Sequence, residues 1–155
     1  MHTRREMLTR STQVAGMLAA LGMLPGFVHA QTAGYNTAAF DAKTMADLMK
    51  ALGAAAPVES KDVTITGPDI AENGAVVPVG VATSLPGVKR LLLLVEKNPA
   101  MLSAMFDVSD AVEPNFSTRV KMGQSSNVFA VAMMNDGKVL YAAKEIKVTL
   151  GGCGG

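Results

Sequence analysis

The chain has a single thiol, and it stands near the carboxyl terminus: Cys153 lies between Gly151-Gly152 and Gly154-Gly155. Glycine has no Cβ and enters every allowed backbone region, so the four flanking residues remove bulk and add freedom. An extended chain covers about 3.3 to 3.6 Å per residue, so three residues past Leu150 carry the sulfur roughly 10 Å from a body that ends there. Covalent carriage suits this geometry, with the sulfur holding an intermediate and presenting it to successive active sites. Catalysis by the same thiol does not, because a nucleophile must be held close to its productive geometry. An unperturbed thiol is only a few per cent ionised near neutrality, so its activation falls to the enzyme that receives it.

Few other residues compete for a chemical role. Both histidines, His2 and His29, fall in an amino-terminal segment that reads as removable, and there is no tryptophan. Without imidazole there is no Ser-His or Cys-His pair, no histidine metal ligand and no side chain with an unperturbed pKa near neutrality. The expectation is therefore a carrier that is not an enzyme, with no catalytic centre, metal or cofactor. Met45, Met49, Met101, Met105, Met122, Met133 and Met134 remain. Outside the predicted first helix, only Met101 with Met105 makes the kind of thioether pair copper would need, and filling irregular apolar gaps is the expected use. Lys138, Lys144 and Lys147 could attract an anionic cargo, although lysine also guards strand edges. Gly67-Pro68-Asp69 and Glu72-Asn73-Gly74 match no phosphate or metal loop and read as connections.

The front end reads as an export signal over residues 1–30. Thr3-Arg4-Arg5-Glu6-Met7-Leu8 is a twin-arginine start, an apolar stretch from Val14 to Val28 follows, and Val28-His29-Ala30 offers a cleavage site. The apolar stretch is short and carries Gly16, Gly22, Pro25 and Gly26, which disfavours a membrane anchor. The expected location is the periplasm, reached in a folded state by the twin-arginine route. Removing Arg4, Arg5 and Arg10 from the 14 basic residues and Glu6 from the 13 acidic ones leaves a formal charge of −1. Nothing there points to nucleic acid or to a membrane surface. One cysteine cannot form an internal disulfide, so an exposed thiol in an oxidising compartment needs a purpose.

Residues 31–150 must supply the body that positions the thiol. Met45, Leu48, Met49 and Leu52 recur at helical spacing within Ala38 to Leu52, and Gly53 stops that helix. From Lys61 the period changes to two. Strand-like runs follow at 75–85, 90–96, 103–108, 116–122, 128–134 and 138–150, separated by Pro86-Gly87, Lys97-Asn98-Pro99, Pro114-Asn115, 123–127 and Asn135-Asp136-Gly137. About seven strands in this pattern predict an all-β immunoglobulin-like β-sandwich with an N-terminal helix and a flexible C-terminal arm, residues 151–155. Asp136-Gly137 predicts a tight hairpin with both residues at positive φ, making the last two strands neighbours. The last strand is expected to place Leu140, Ala142, Ile146, Val148 and Leu150 in the core, and Tyr141, Glu145, Lys147 and Thr149 on the other face.

The tail Gly151-Gly152-Cys153-Gly154-Gly155, the preceding "YAAKEIKVTL", "RVKMGQSS" from Arg119 to Ser126, "VEKNP" from Val95 to Pro99 and the twin-arginine start together resemble the SoxY family, the sulfur carriers of the Sox thiosulfate-oxidation system. The resemblance implies that Cys153 carries S-thiosulfonate and persulfide-type intermediates. It implies SoxZ as a heterodimeric partner, and SoxAX, SoxB and in many organisms SoxCD as the enzymes that load, hydrolyse and oxidise the cargo. Two other readings stay open. Gly154-Gly155 could serve as a ubiquitin-like thiocarboxylate carrier, against which stands the lack of periplasmic ATP, or the sandwich could be a plain periplasmic binding module.

Overall fold

The computed structural model describes Arg10 and residues 36–150; the expected export signal and the arm, Gly151, Gly152, Cys153, Gly154 and Gly155, lie outside the described residues. Two short helices, α1 (Thr37–Asp41) and α2 (Met45–Ala51), lead into nine strands. These are β1 (Val58–Glu59), β2 (Val63–Thr66), β3 (Ile70–Asn73), β4 (Val77–Thr83), β5 (Val88–Val95), β6 (Leu102–Asp107), β7 (Asn115–Val120), β8 (Ser126–Met134) and β9 (Val139–Leu150). The larger sheet runs β1-β9-β8-β5-β6, with β3 also paired to β9, and the smaller runs β2-β4-β7. No helix among the described residues is long and apolar enough to cross a membrane.

Two apolar layers hold these elements together. Between the sheets lie Leu91, Leu93 and Val95 of β5, Val128, Ala130 and Ala132 of β8, Ile146 of β9 and the valines of β4. Leu92 and Leu94 point the other way, into a second layer with Val131, Val139 and the helix residues Ala39, Leu48 and Met49. The run Leu91-Leu92-Leu93-Leu94-Val95 is continuous because the helices cover the outer face of the large sheet, so alternate residues find apolar neighbours on both sides. At the margin, the Phe106 and Phe116 rings stack with centroids 4.4 Å apart and join the two sheets.

The single expected helix is broken into two. Asn36 caps α1, its Oδ1 accepting from Ala39 N at 3.1 Å. Thr44 caps α2 afresh, its Oγ1 accepting from Asp47 N at 3.1 Å and donating to Asp47 Oδ2 at 2.7 Å. A hydroxyl that satisfies an orphan amide starts a helix better than it continues one, which is why Thr44 divides the segment. The expected stop holds: Gly53 at φ 62 closes α2, with Gly53 N bonded to Lys50 O and Ala54 N to Met49 O, the paired bonds of a Schellman cap.

All seven expected strands form, and β1 and β3 add two more. Both lie parallel to β9, with Val58 opposite Leu140 and Ile70 opposite Lys147. The Glu72-Asn73-Gly74 stretch is therefore not a mere connection, since Glu72 and Asn73 belong to β3. The β8–β9 hairpin is present, although only Gly137 takes positive φ, at 88. Gly137 N bonds to Met134 O and Met134 N to Lys138 O, a three-residue loop in which glycine alone occupies the left-handed position.

Candidate functional site

Cys153 and its four glycines follow directly on Leu150, so the site within the described residues is the root of the arm. β9 supplies that root. Ile146 is fully buried between the sheets and Val148 packs against the same layer. Leu150, expected in the core, is instead 61% exposed. The core ends before the strand does, and the last rungs of the ladder are held by backbone rather than by apolar contact.

That backbone is gripped along both edges. On one side β3 runs parallel to it: Lys147 N donates to Asp69 O at 3.0 Å, Thr149 Oγ1 donates to Glu72 O at 3.0 Å, and Leu150 O accepts from Gly74 N at 2.7 Å. Gly74 also accepts, through its carbonyl, from Met122 N at 2.7 Å, so one residue links the end of β9 to the β7–β8 loop. On the other side, β8 stops pairing at Ser126 opposite Ile146. Beyond that point Val148 N donates to Ser125 Oγ at 2.9 Å.

The three body segments singled out in the sequence converge here. "VEKNP" and "RVKMGQSS" are tied by Lys97 N to Ser126 Oγ at 3.1 Å and by Asn98 Nδ2 to Lys121 O at 2.7 Å. "RVKMGQSS" is tied in turn to "YAAKEIKVTL" by Ser125 and by the Ser126–Ile146 rung. Asn127 Nδ2 donates to Glu96 Oε2 at 2.9 Å and extends the same network. Ser126 is 2% exposed, and its hydroxyl both accepts from Lys97 and donates to Asn127 O. A buried hydroxyl with both roles filled fixes two loops at once.

The lysines considered as cargo attractors have other engagements or none near a partner. Lys144 Nζ pairs with Asp69 Oδ1 at 2.8 Å, bridging the length of β9 edge between β1 and β3. Asp69 is held below the usual carboxylate range by the hydrogen bond and charge of that lysine. Lys138 pairs with Asp136 at 2.9 Å at the far end of the strand, and Lys147 is exposed. Met101 and Met105 pack in the layer beneath the helices, where Met49 also lies. Among the described residues no three His, Cys, Asp or Glu side chains group as metal ligands do. The serines and Asn98 are the residues whose positions the sequence alone does not assign, since their partners lie 23 to 29 residues away.

Residues 48–153 match the family model described as sulfur oxidation protein SoxY, and the last residue matched is the cysteine. The chain belongs to the SoxY family. The solved structure of the sulfur carrier protein SoxY from Chlorobium limicola f thiosulfatophilum shares its fold with a TM-score of 0.63 at 36% identity, covering 70% of this chain and 97% of that one. A superoxide reductase (neelaredoxin) from Ignicoccus hospitalis gives a TM-score of 0.50 at 21% identity, over 56% of this chain and 79% of that chain, a likeness of fold alone. No curated protein matches. The SoxY match takes in all three segments that meet at the root of the arm, from Val95 through Leu150.

Proposed function

We propose that this SoxY-family chain is a covalent carrier of sulfur under oxidation, with Cys153 as the point of attachment and 151–155 as its arm. The family match that runs through to Cys153 carries this reading, and a strand end gripped along both edges gives the arm a firm base.

Loading joins thiosulfate to the thiol. A sulfur–sulfur bond forms between Sγ and the sulfane sulfur, the thiol proton leaves, and two electrons pass to a c-type cytochrome partner, SoxAX. Hydrolysis by SoxB then breaks the bond between sulfane sulfur and sulfonate, releasing sulfate and a proton and leaving a persulfide. Where SoxCD operates, three waters supply the oxygens that convert the outer persulfide sulfur to a sulfonate, six electrons pass to c-type cytochrome acceptors and the protons leave to solvent; a further SoxB hydrolysis breaks the bond between Sγ and that sulfonate, releasing sulfate and restoring the thiol. The carrier supplies reach and presentation, and the chemistry belongs to its partners. SoxZ is the proposed heterodimeric partner, and the periplasm, entered through the twin-arginine route, is the proposed location.

The test is the intact mass of the protein from thiosulfate-grown cells, before and after reductant, with sequencing of the terminal peptide. Reductant-labile sulfur on Cys153 is the expected result. Cys153→Ser should abolish thiosulfate oxidation in the reconstituted system while leaving the fold and SoxZ binding intact. Oxidation that survives the substitution would overturn the reading.

A further inference from the structure

We propose that Asn73-Gly74 is a site of spontaneous deamidation that the docked end of β9 keeps closed, so that conversion of Asn73 to aspartate and isoaspartate records how often that end opens. The proposal is independent of Cys153 and of anything carried there. Asn73 is the chain's only asparagine followed by glycine. Glycine has no Cβ to screen its nitrogen, so closure of a ring between that nitrogen and the asparagine side chain is least hindered there. The reaction needs an electrophilic Cγ on Asn73 and a deprotonated nitrogen on Gly74. The fold supplies the first and withholds the second. Asn73 is exposed, and its Oδ1 accepts from Ala75 N at 2.8 Å, an Asx turn that folds the side chain over the Gly74 peptide and draws electron density from Cγ. Gly74 is buried, and its N–H is committed to Leu150 O at 2.7 Å. Taking the proton from that amide would forfeit the bond and leave a charge away from solvent.

When the end of β9 lifts from β3, the Gly74 amide meets water and base can take its proton. The nitrogen then bonds to Asn73 Cγ, the Cγ–Nδ2 bond breaks, and the amide nitrogen takes up a proton and leaves as ammonia, giving a succinimide. Water opens the ring at either carbonyl. No electrons are exchanged, and the net change is water consumed and ammonia released. One opening gives aspartate, and the other gives isoaspartate, in which Cβ joins the main chain. Both place a carboxylate at the residue paired with Leu150, and the longer backbone of isoaspartate breaks the register of β3 on β9. The other end of β9 offers an internal contrast. Asp136-Gly137 has the same turn, with Lys138 N donating to Asp136 Oδ1 at 3.0 Å. An aspartate closes its ring readily only when protonated, and the Lys138 side chain holds that carboxyl below the ordinary range. Asn73 carries no charge to protect it and depends on the bond from Gly74 to Leu150.

The experiment incubates the full chain in mildly alkaline buffer, with and without urea, and follows Asn73 by peptide mass and isoaspartate content while hydrogen exchange reads the protection of the Gly74 amide. Exchange and ring closure both begin with loss of the same proton, so folding should slow the two by the same factor. Thr149→Val removes the hydroxyl that donates to Glu72 O beside the site and should speed both about fivefold, the worth of one hydrogen bond. Urea below the unfolding transition, which needs no substitution, should raise the two rates together. Conversion as fast in the folded chain as in the unfolded one would overturn the proposal. So would protection of the Gly74 amide without matching protection of Asn73, a folded Thr149→Val chain that converts at the parent's rate, or earlier conversion of another asparagine.

Discussion

The two ends of β9 are secured by different means. At its start, the turn from β8 is closed by residues within four positions of each other: Gly137 N to Met134 O, Met134 N to Lys138 O, and the Lys138–Asp136 ion pair. At its finish, the partners are Asp69, Glu72, Gly74 and Ser125, and Glu72 stands 77 residues from the Thr149 that it holds. The turn at the near end forms from its own sequence, although Leu140 and Tyr141 just beyond it also pair with β1. The far end, which leads into residues 151–155, exists only once separate parts of the chain have met.

Ile146, next to the first bond of the far grip, is fully buried between the sheets. Its truncation to Ala should cost about 2 to 5 kcal/mol, the usual range for such a cavity, measured by denaturant unfolding. Thiosulfate turnover should then fall only in proportion to the folded fraction. The sharper contrast comes from Gly137→Ala. That position lies at φ 88, where a Cβ is disfavoured by about 1 to 2 kcal/mol. The variant should melt earlier, yet turnover per folded molecule should equal the parent's. A loss of turnover would break the distinction between a structural end and a working end.

The smallest effect belongs to Asp136→Asn. The Lys138 ammonium and amide hold the Asp136 carboxyl below the ordinary carboxylate range, and Asp136 in turn raises Lys138. A lowered carboxylate stabilises the fold above its ordinary range, and that contribution is lost as pH falls through its lowered value. The raised lysine contributes below its ordinary value and ceases to as pH climbs through the raised one. Both side chains are exposed to water, where such a pair is weak and salt-screened. The variant should therefore melt with the parent at physiological ionic strength. A small deficit should emerge only at low salt and between those two limits.

The same contrast separates what is legible in the amino-acid sequence from what is not. The Asp136-Gly137 turn, the helix stop at Gly53 and the seven longer strands are local signals, written in neighbouring residues. β1 and β3 are not. β1 has two residues, and in β3 only Ala71 is buried, so no period of two can show. Their strand character comes from β9, far along the chain. The exposure of Leu150 is hidden for a related reason, since alternation continues past the point where the opposing sheet ends. Of the site, the thiol and its glycines are plain in the sequence, while Ser125, Ser126, Asn98 and Gly74 look like ordinary loop residues until their partners are known.

β9 lies between β8 on one edge and β1 and β3 on the other, although it is made after all of them. Until it arrives, β1 and β3 have no partner and the layer between the sheets lacks Ile146. Assembly must therefore wait for the final dozen residues of the strand, and so many distant pairings imply slow closure. Completion of the body and synthesis of Cys153 thus become nearly one event: a copy cut short within β9 would neither close its sheet nor contain the cysteine.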